Sequence, residues 1–421
     1  MANDSLSPPR RYAWIDEAVL LAFLLVAFIG FTPFHPPPVA ALGTVPATGT
    51  GDLLRQLCYL AVFVAIVLGA LRHRGMEAFT ALPLLLMLLI AWCMASALWS
   101  AEPGITTRRA GLAFVLVVSA MLSVNSVGTE RSLVLWRWVL LGILIINIVS
   151  VRFIPEAVHL PGEADPQLVG DWRGLYGHKN IAGAVGAMTA LIFLFSPSKK
   201  FWHKAFDIAV VALAVYFTVM TRSKSSLGLL AIAAVAGSVY RIAWKREIDR
   251  TIAVVAAFLL LTVAAAFVIA DQAAIVRLFA DPAQFTGRTE IWKAEVAYIL
   301  DHPVLGAGFG TFSDTGGVSP LHAYVGGWVT EASHGHNGYL QIFVTTGVIG
   351  FALAMAALIV SPAIDFWRRG AADVKALLFA LFVFLVLHNL METDFLEGDG
   401  VAWVAYLLLL AMLGNLREAK P

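Results

Sequence analysis

The sequence predicts an all-α, polytopic membrane protein. Of 421 residues, 59% are hydrophobic and the mean hydropathy is +0.80. Only 14% are charged, where soluble domains carry about 25%. Apolar windows also recur along the whole chain, each long enough to cross about 30 Å of hydrocarbon as a helix.

In order, these windows are Ala18–Phe34, Leu54–Leu71, Phe79–Trp99, Thr107–Val124, Leu133–Ile154, Asn180–Phe195, Ala205–Thr221, Ser225–Ala243, Thr251–Ala270, Gly347–Ile364, Val374–Asn389 and Val401–Leu416. They give about twelve transmembrane helices. The polar stretch Met1–Trp14 precedes the first window, and no small-residue cleavage pattern follows it. That window therefore reads as a retained span. Only Arg222-Ser223-Lys224 separates the seventh and eighth spans. Arg288 to Asp301 carries Ile291, Trp292, Ala294, Val296, Ala297, Ile299 and Leu300, a pattern expected of a helix lying on the membrane or roofing a cavity; His302-Pro303 ends it. There is no internal repeat and no soluble domain boundary, so residues 1–421 read as one integral membrane domain.

Basic residues set the orientation. One set of loops holds Arg10, Arg11, Arg72, Arg74, Arg131, Lys199, Lys200, Arg246, Arg250, Arg368, Arg369 and Lys420, among others. Positive charge is retained on the cytoplasmic side, which places these loops and both termini there. The long segments Pro155–Lys179 and Asp271–Thr346 then face outward, into the periplasm of a bacterial inner-membrane protein. The second of these, 271–346 between the ninth and tenth spans, is expected to carry catalytic residues.

Several classes drop out. A net charge of +1 offers no basic face for nucleic acid. Cys58 and Cys93 sit in apolar runs and read as packing residues. Gly306-Ala307-Gly308-Phe309-Gly310 follows no strand, so it is not a nucleotide loop.

What remains is a polar stretch, Gly287 to Asn337, in an otherwise apolar chain. Such residues are costly in lipid and point to a water-facing pocket. His334-Gly335-His336-Asn337 offers an imidazole able to move protons near neutral pH. His336 sits where a helix begins, at a mouth that favours anions. A plain helix-capping role is the alternative. Metal binding through His334, His336 and Glu331 is disfavoured, because a spacing of two matches no metal motif. Several cations run against the orientation rule: Arg173, Lys179, Arg222, Lys224 and Arg288. Outward positive charge suggests an anionic partner, and a guanidinium suits a diphosphate. The plainer alternatives are pairing with Asp171, Glu290 or Glu392, and snorkelling to headgroups.

These residues also form a familiar pattern. Gly287-Arg288-Thr289-Glu290-Ile291-Trp292, His302-Pro303-Val304-Leu305-Gly306-Ala307-Gly308, His336-Asn337 and Thr346-Gly347-Val348-Ile349-Gly350 resemble the bacterial O-antigen ligase and polymerase superfamily. Ser96-Ala97-Leu98-Trp99-Ser100 with Thr107-Arg108-Arg109-Ala110 is similar to its early signature. The resemblance implies a GT-C-type glycosyltransferase. Ligase members move a glycan from undecaprenyl diphosphate to a sugar hydroxyl of lipid A–core, at the periplasmic face, with inversion, no metal and no cofactor. It carries catalytic roles to His336, Arg288 and Arg222. Lys179, Lys224, Arg173, His334 and Asn337 are the expected binders of diphosphate and acceptor. The runs Gly177-His178-Lys179-Asn180 and Ser223-Lys224-Ser225 look more like the exopolysaccharide-polymerase branch, whose acceptor is another lipid-linked glycan. A transporter or flippase is the rival from another class. Against it stands the clustering of polar residues at one face, with Arg137 the one clear charge inside a span.

Overall fold

A computed structural model describes residues 13–34, 52–163, 166–196, 201–245, 288–313, 315, 319–326, 335–367 and 372–418. Among these residues the protein is helical. Its helices are α1 (Ala13–Ile29), α2 (Leu53–Arg74), α3 (Leu84–Ala95), α4 (Pro103–Val127), α5 (Thr129–Phe153), α6 (Lys179–Phe195), α7 (Phe201–Met220), α8 (Lys224–Lys245), α9 (Arg288–Asp301), α10 (Gly338–Ala354), α11 (Ser361–Trp367), α12 (Ala372–His388) and α13 (Val401–Glu418). A helix stands at every expected span among the described residues. The ninth span, Thr251–Ala270, lies outside them. Among the described residues six helices are long and apolar enough to cross a membrane, and three shorter apolar ones accompany them.

Local chemistry sets the helix limits. Asp52 opens α2 by accepting from the backbone N–H of Leu54 and Arg55 at 2.9 and 3.2 Å, which satisfies donors that a helix start leaves unpaired. Gly128, at φ 89°, ends α4 in a conformation that a side chain would resist. Inside the bundle, Leu377, Leu381, Trp403 and Tyr406 are fully buried. Leu68, Ile208 and Val235 are 61%, 69% and 64% exposed. Apolar side chains facing outward from apolar helices fit a lipid-facing surface.

Ion pairs mark two ends of the bundle. At one end Arg131, opening α5, meets Glu17 in α1 at 2.7 Å. Arg74, closing α2, reaches Asn125 in α4 at 2.5 Å, and Asn125 meets Asn415 in α13 at 3.1 Å. At the other end Arg55, opening α2, pairs with Asp399 ahead of α13. The starts of α6, α8, α9 and α10 gather at this second end, around the segment that joins α12 to α13.

The helix expected to begin beside His336 begins at Gly338 and runs through residues 338–346 into the window of the tenth span. Gly347 is a left-handed break inside the helix, at φ 65°. A Cβ there would fall 2.0 Å from the Val304 carbonyl oxygen, so the glycine marks a close approach rather than a helix start. The glycine-rich loop docks at this break. Ala307 and Gly308 donate to Val344 O and Thr345 O, each at 2.9 Å. Phe309 N donates to Ser96 Oγ at 2.8 Å, and Arg109 donates to Gly310 O. Trp92 and Trp99 donate to Thr346 O and Leu305 O at 2.9 and 3.1 Å. The early signature and the glycine loop thus form one clamp, which fixes α9 against α10.

Candidate active site

The site is built around one short turn, residues 389–394, after α12. Glu392 is its centre. Arg288, the first residue of α9, places Nη2 2.9 Å from Glu392 Oε1 and Nη1 2.6 Å from Met391 O. His336 places Nδ1 2.9 Å from Glu392 Oε2. Asn180, in the first turn of α6, donates to Oε1 at 2.6 Å. Gly338 N, opening α10, donates to the carbonyls of Asn389 and Glu392 at 2.8 and 3.1 Å. Three helix starts are therefore tied to one turn.

A second carboxylate gathers the other cations. Asp171 accepts from Lys179 Nζ at 2.6 Å and from Arg222 Nη1 at 3.1 Å. Asp171 is buried, while the Arg222 side chain is 69% exposed. Lys179 and Asn180 are adjacent, so the start of α6 joins the two clusters: Arg222, Asp171 and Lys179 on one side, Glu392, Arg288 and His336 on the other.

Electrostatics follow from these contacts. Burial alone would raise the Glu392 carboxyl; the hydrogen bond and charge of His336, and the charge of Arg288, overcome it and hold the carboxyl well below the usual range. Glu392 is then an anion at any working pH. His178, which caps α6 by accepting from Asn180 N at 3.2 Å, is driven down to about 4. Burial is the main cause; the charges of His159, His336 and Lys179 add to it against the pull of Glu392. It is neutral in the site.

Two backbone conformations are unusual. Arg222 and His336 have φ of 53° and 51°. Side-chain-bearing residues seldom adopt this region, and it persists only where surroundings enforce it. Both are residues the sequence singles out for chemistry.

The remaining expectations fare differently. Arg173, expected among the diphosphate and acceptor binders, is 0% exposed, grips Glu163 with Nη2 to Oε1 at 2.9 Å, and donates Nε to Glu156 O at 2.7 Å. A guanidinium held in this way braces the loop before α6. Asn337 is the N-cap of α10, its Oδ1 accepting from Tyr339 N and Leu340 N at 3.1 Å each. The cap that sequence reasoning allowed to His336 thus belongs to its neighbour. Lys224 opens α8, exposed. His334 lies outside the described residues. Along α9 the face differs too: Glu295 is fully buried, and Val296 and Leu300 are exposed.

Sequence reasoning missed Glu392 and Asp171 as organisers, named His178 and Asn180 only as parts of a motif run, and missed Glu295 altogether. The first two appear there only as acids able to neutralise outward cations. The signal was the polar run Glu392-Thr393-Asp394 at the end of an apolar span.

A family model described as O-antigen ligase matches residues 208–355. The matched stretch holds Arg222, Arg288 and His336; Asp171, Lys179 and Glu392 fall outside it. None of the curated proteins matches the chain.

Proposed function

We propose, from the premise that residues 208–355 of this chain are a domain of the O-antigen ligase superfamily, that the protein is a membrane glycosyltransferase. It transfers a glycan from undecaprenyl diphosphate to a sugar hydroxyl of lipid A–core. The reaction is inverting, needs no metal, and takes place at the periplasmic face of the bacterial inner membrane, with both termini cytoplasmic and a GT-C architecture. The observation that carries this reading is the sharing of Glu392 by Arg288 and His336.

The Glu392 anion accepts a hydrogen bond from Nδ1–H of His336. That leaves the Nε2 lone pair to face the acceptor. The acceptor oxygen bonds to the anomeric carbon as its proton passes to Nε2. The bond from that carbon to the diphosphate oxygen breaks, and its electron pair leaves with undecaprenyl diphosphate. The imidazolium so formed is stabilised by Glu392. General base help of this kind contributes roughly 10²–10⁴-fold.

Charge grows on the leaving diphosphate as the bond breaks. Arg222, Lys179 and Arg288 supply preorganised positive charge for it, with Lys224 at the rim. Asp171 and Glu392 hold these cations in place before the donor arrives. The membrane keeps both lipid-linked substrates in one plane, which lowers the cost of bringing them together.

The test uses purified protein, lipid-linked donor and acceptor. His336→Ala, Arg222→Ala and Arg288→Ala are expected to insert normally and to lose glycan transfer. Full activity in any one removes that residue from the mechanism. Turnover is expected to persist in chelator; restoration by a divalent ion after chelation overturns the metal-free route.

The second reading, a polymerase with a lipid-linked glycan as acceptor, is favoured by the placement of Lys179, Asn180 and Ser223 beside the site. The surface glycan of a deletion strain separates the two. Core without polymer identifies a ligase, and core bearing single repeats identifies a polymerase.

A further inference from the structure

Beside the site lies a buried row of hydrogen bonds that the proposed chemistry does not use. Ser226 Oγ is 3.4 Å from His388 Nε2, and His388 Nδ1 is 2.7 Å from Asp394 Oδ2. Serine, histidine and aspartate in that order resemble a nucleophilic triad. Burial argues otherwise. Ser226 is 0%, His388 2% and Asp394 8% exposed, so no donor reaches the serine oxygen.

The row leads instead toward Arg222. Ser223 Oγ donates to Ser226 Oγ at 2.9 Å, and Ser223 directly follows Arg222. Asp394 holds His388 at Nδ1, Ser226 lies on Nε2 at the other side of the ring, and Ser226 Oγ accepts from Ser223 Oγ. Helix α6 closes over it: a Cβ at Gly183 would lie 2.8 Å from Ser223 Cβ and 3.0 Å from Ser226 Oγ. The row ends beside a residue at φ 53°, a conformation that needs external support. It begins in the same 389–394 turn that holds Arg288 and His336.

We propose that His388 and Asp394 are positioning residues that act through Ser226 and Ser223 to hold the left-handed turn at Arg222, so that its guanidinium meets the diphosphate of the donor. This rests on the role given to Arg222 above. The turn after α12 then sets all three reactive side chains, two by direct contact and the third through two serines.

The experiment measures binding of a short prenyl diphosphate to the full-length protein in detergent, by calorimetry. Ser226→Ala and Asp394→Asn are each expected to weaken binding about tenfold, and Ser226→Thr to restore it. Ser226→Ala combined with Arg222→Ala is expected to bind no more weakly than Arg222→Ala alone, since residues acting as one unit are not additive. Thermal melting of each variant is followed alongside, and Asp394→Asn, which keeps the side-chain shape, reports on the row if Ser226→Ala fails to fold. Unchanged binding by Ser226→Ala and Asp394→Asn, or losses that multiply in the double variant, overturn this inference while leaving the role of Arg222 standing. Unchanged binding by Arg222→Ala removes the premise, and the inference falls with it.

Discussion

Gly335 lies directly against the carboxyl of Glu295. A Cβ built at Gly335 would fall 2.2 Å from Glu295 Oε1, so the residue before His336 must be a glycine for the loop to sit on α9. Among the described residues neither oxygen of Glu295 has a hydrogen-bond partner, and burial pushes its carboxyl from 4.5 up to about 8. The native state therefore keeps a proton that the unfolded chain gives up above pH 4.5. Stability is full below that value and falls as pH climbs toward 8, by roughly 1.4 kcal/mol per pH unit at the steepest. Glu295→Gln is expected to abolish this fall. Its melting temperature matches the wild type near pH 5 and exceeds it near pH 8; parallel curves across that range would refute the assignment.

Glu392→Gln keeps the size of the side chain and removes its charge. Arg288 then loses its counter-charge and His336 loses the anion that stabilises its protonated form. Removing one partner of a buried pair costs roughly 3–5 kcal/mol. Both the melting temperature and kcat are expected to drop, kcat by about 10²-fold or more on the scale of a lost charge in a preorganised site. Wild-type kcat in Glu392→Gln would show that the shared carboxylate is only scaffolding.

How much of this the sequence carries depends on the range of the interaction. The break between Met220 and Lys224, and the bounds Arg288–Asp301 of α9, follow from local hydropathy and are legible. Glu392 is not, because its partners Arg288 and His336 lie 104 and 56 residues away. From sequence, a carboxylate at the end of a span reads only as a neutralising charge. Arg173 misleads for a related reason. Its position on the outward side suggests an exposed cation, but the loop ahead of α6 folds back through a bridge between Val158 and Trp172 and buries it. Glu295 is hidden by its own helix, where Val296 and Leu300 carry the apolar signal and yet face outward.

Arg173→Met separates a bracing role from a binding one. Loss of the guanidinium leaves the Glu156 carbonyl without its donor and Glu163 without its cation, with only Leu160 N and His159 still on that carboxylate, at a cost of roughly 3–5 kcal/mol. A lower melting temperature is expected, with KM for the lipid-linked donor unchanged in the folded fraction. A large rise in KM without loss of stability would return Arg173 to the diphosphate site.

Arginine-to-lysine exchange separates the two catalytic arginines. Arg288 uses its planar fork: one nitrogen meets Glu392 Oε1 and the other Met391 O, and the side chain is 17% exposed. A lysine offers a single point of charge and cannot make both contacts in that geometry. Arg222 makes one contact to Asp171, and most of its side chain faces solvent, where an ammonium can approach a phosphate about as well. Arg288→Lys is therefore expected to lower kcat/KM by about 10²-fold, on the scale of one lost oriented donor. Arg222→Lys is expected to lower it by less than about tenfold, since the charge is kept. Steady-state kinetics on both variants decide it. Losses below about tenfold in both variants would mean that charge alone matters at both positions, and that the fork on the turn after α12 contributes nothing to the reaction.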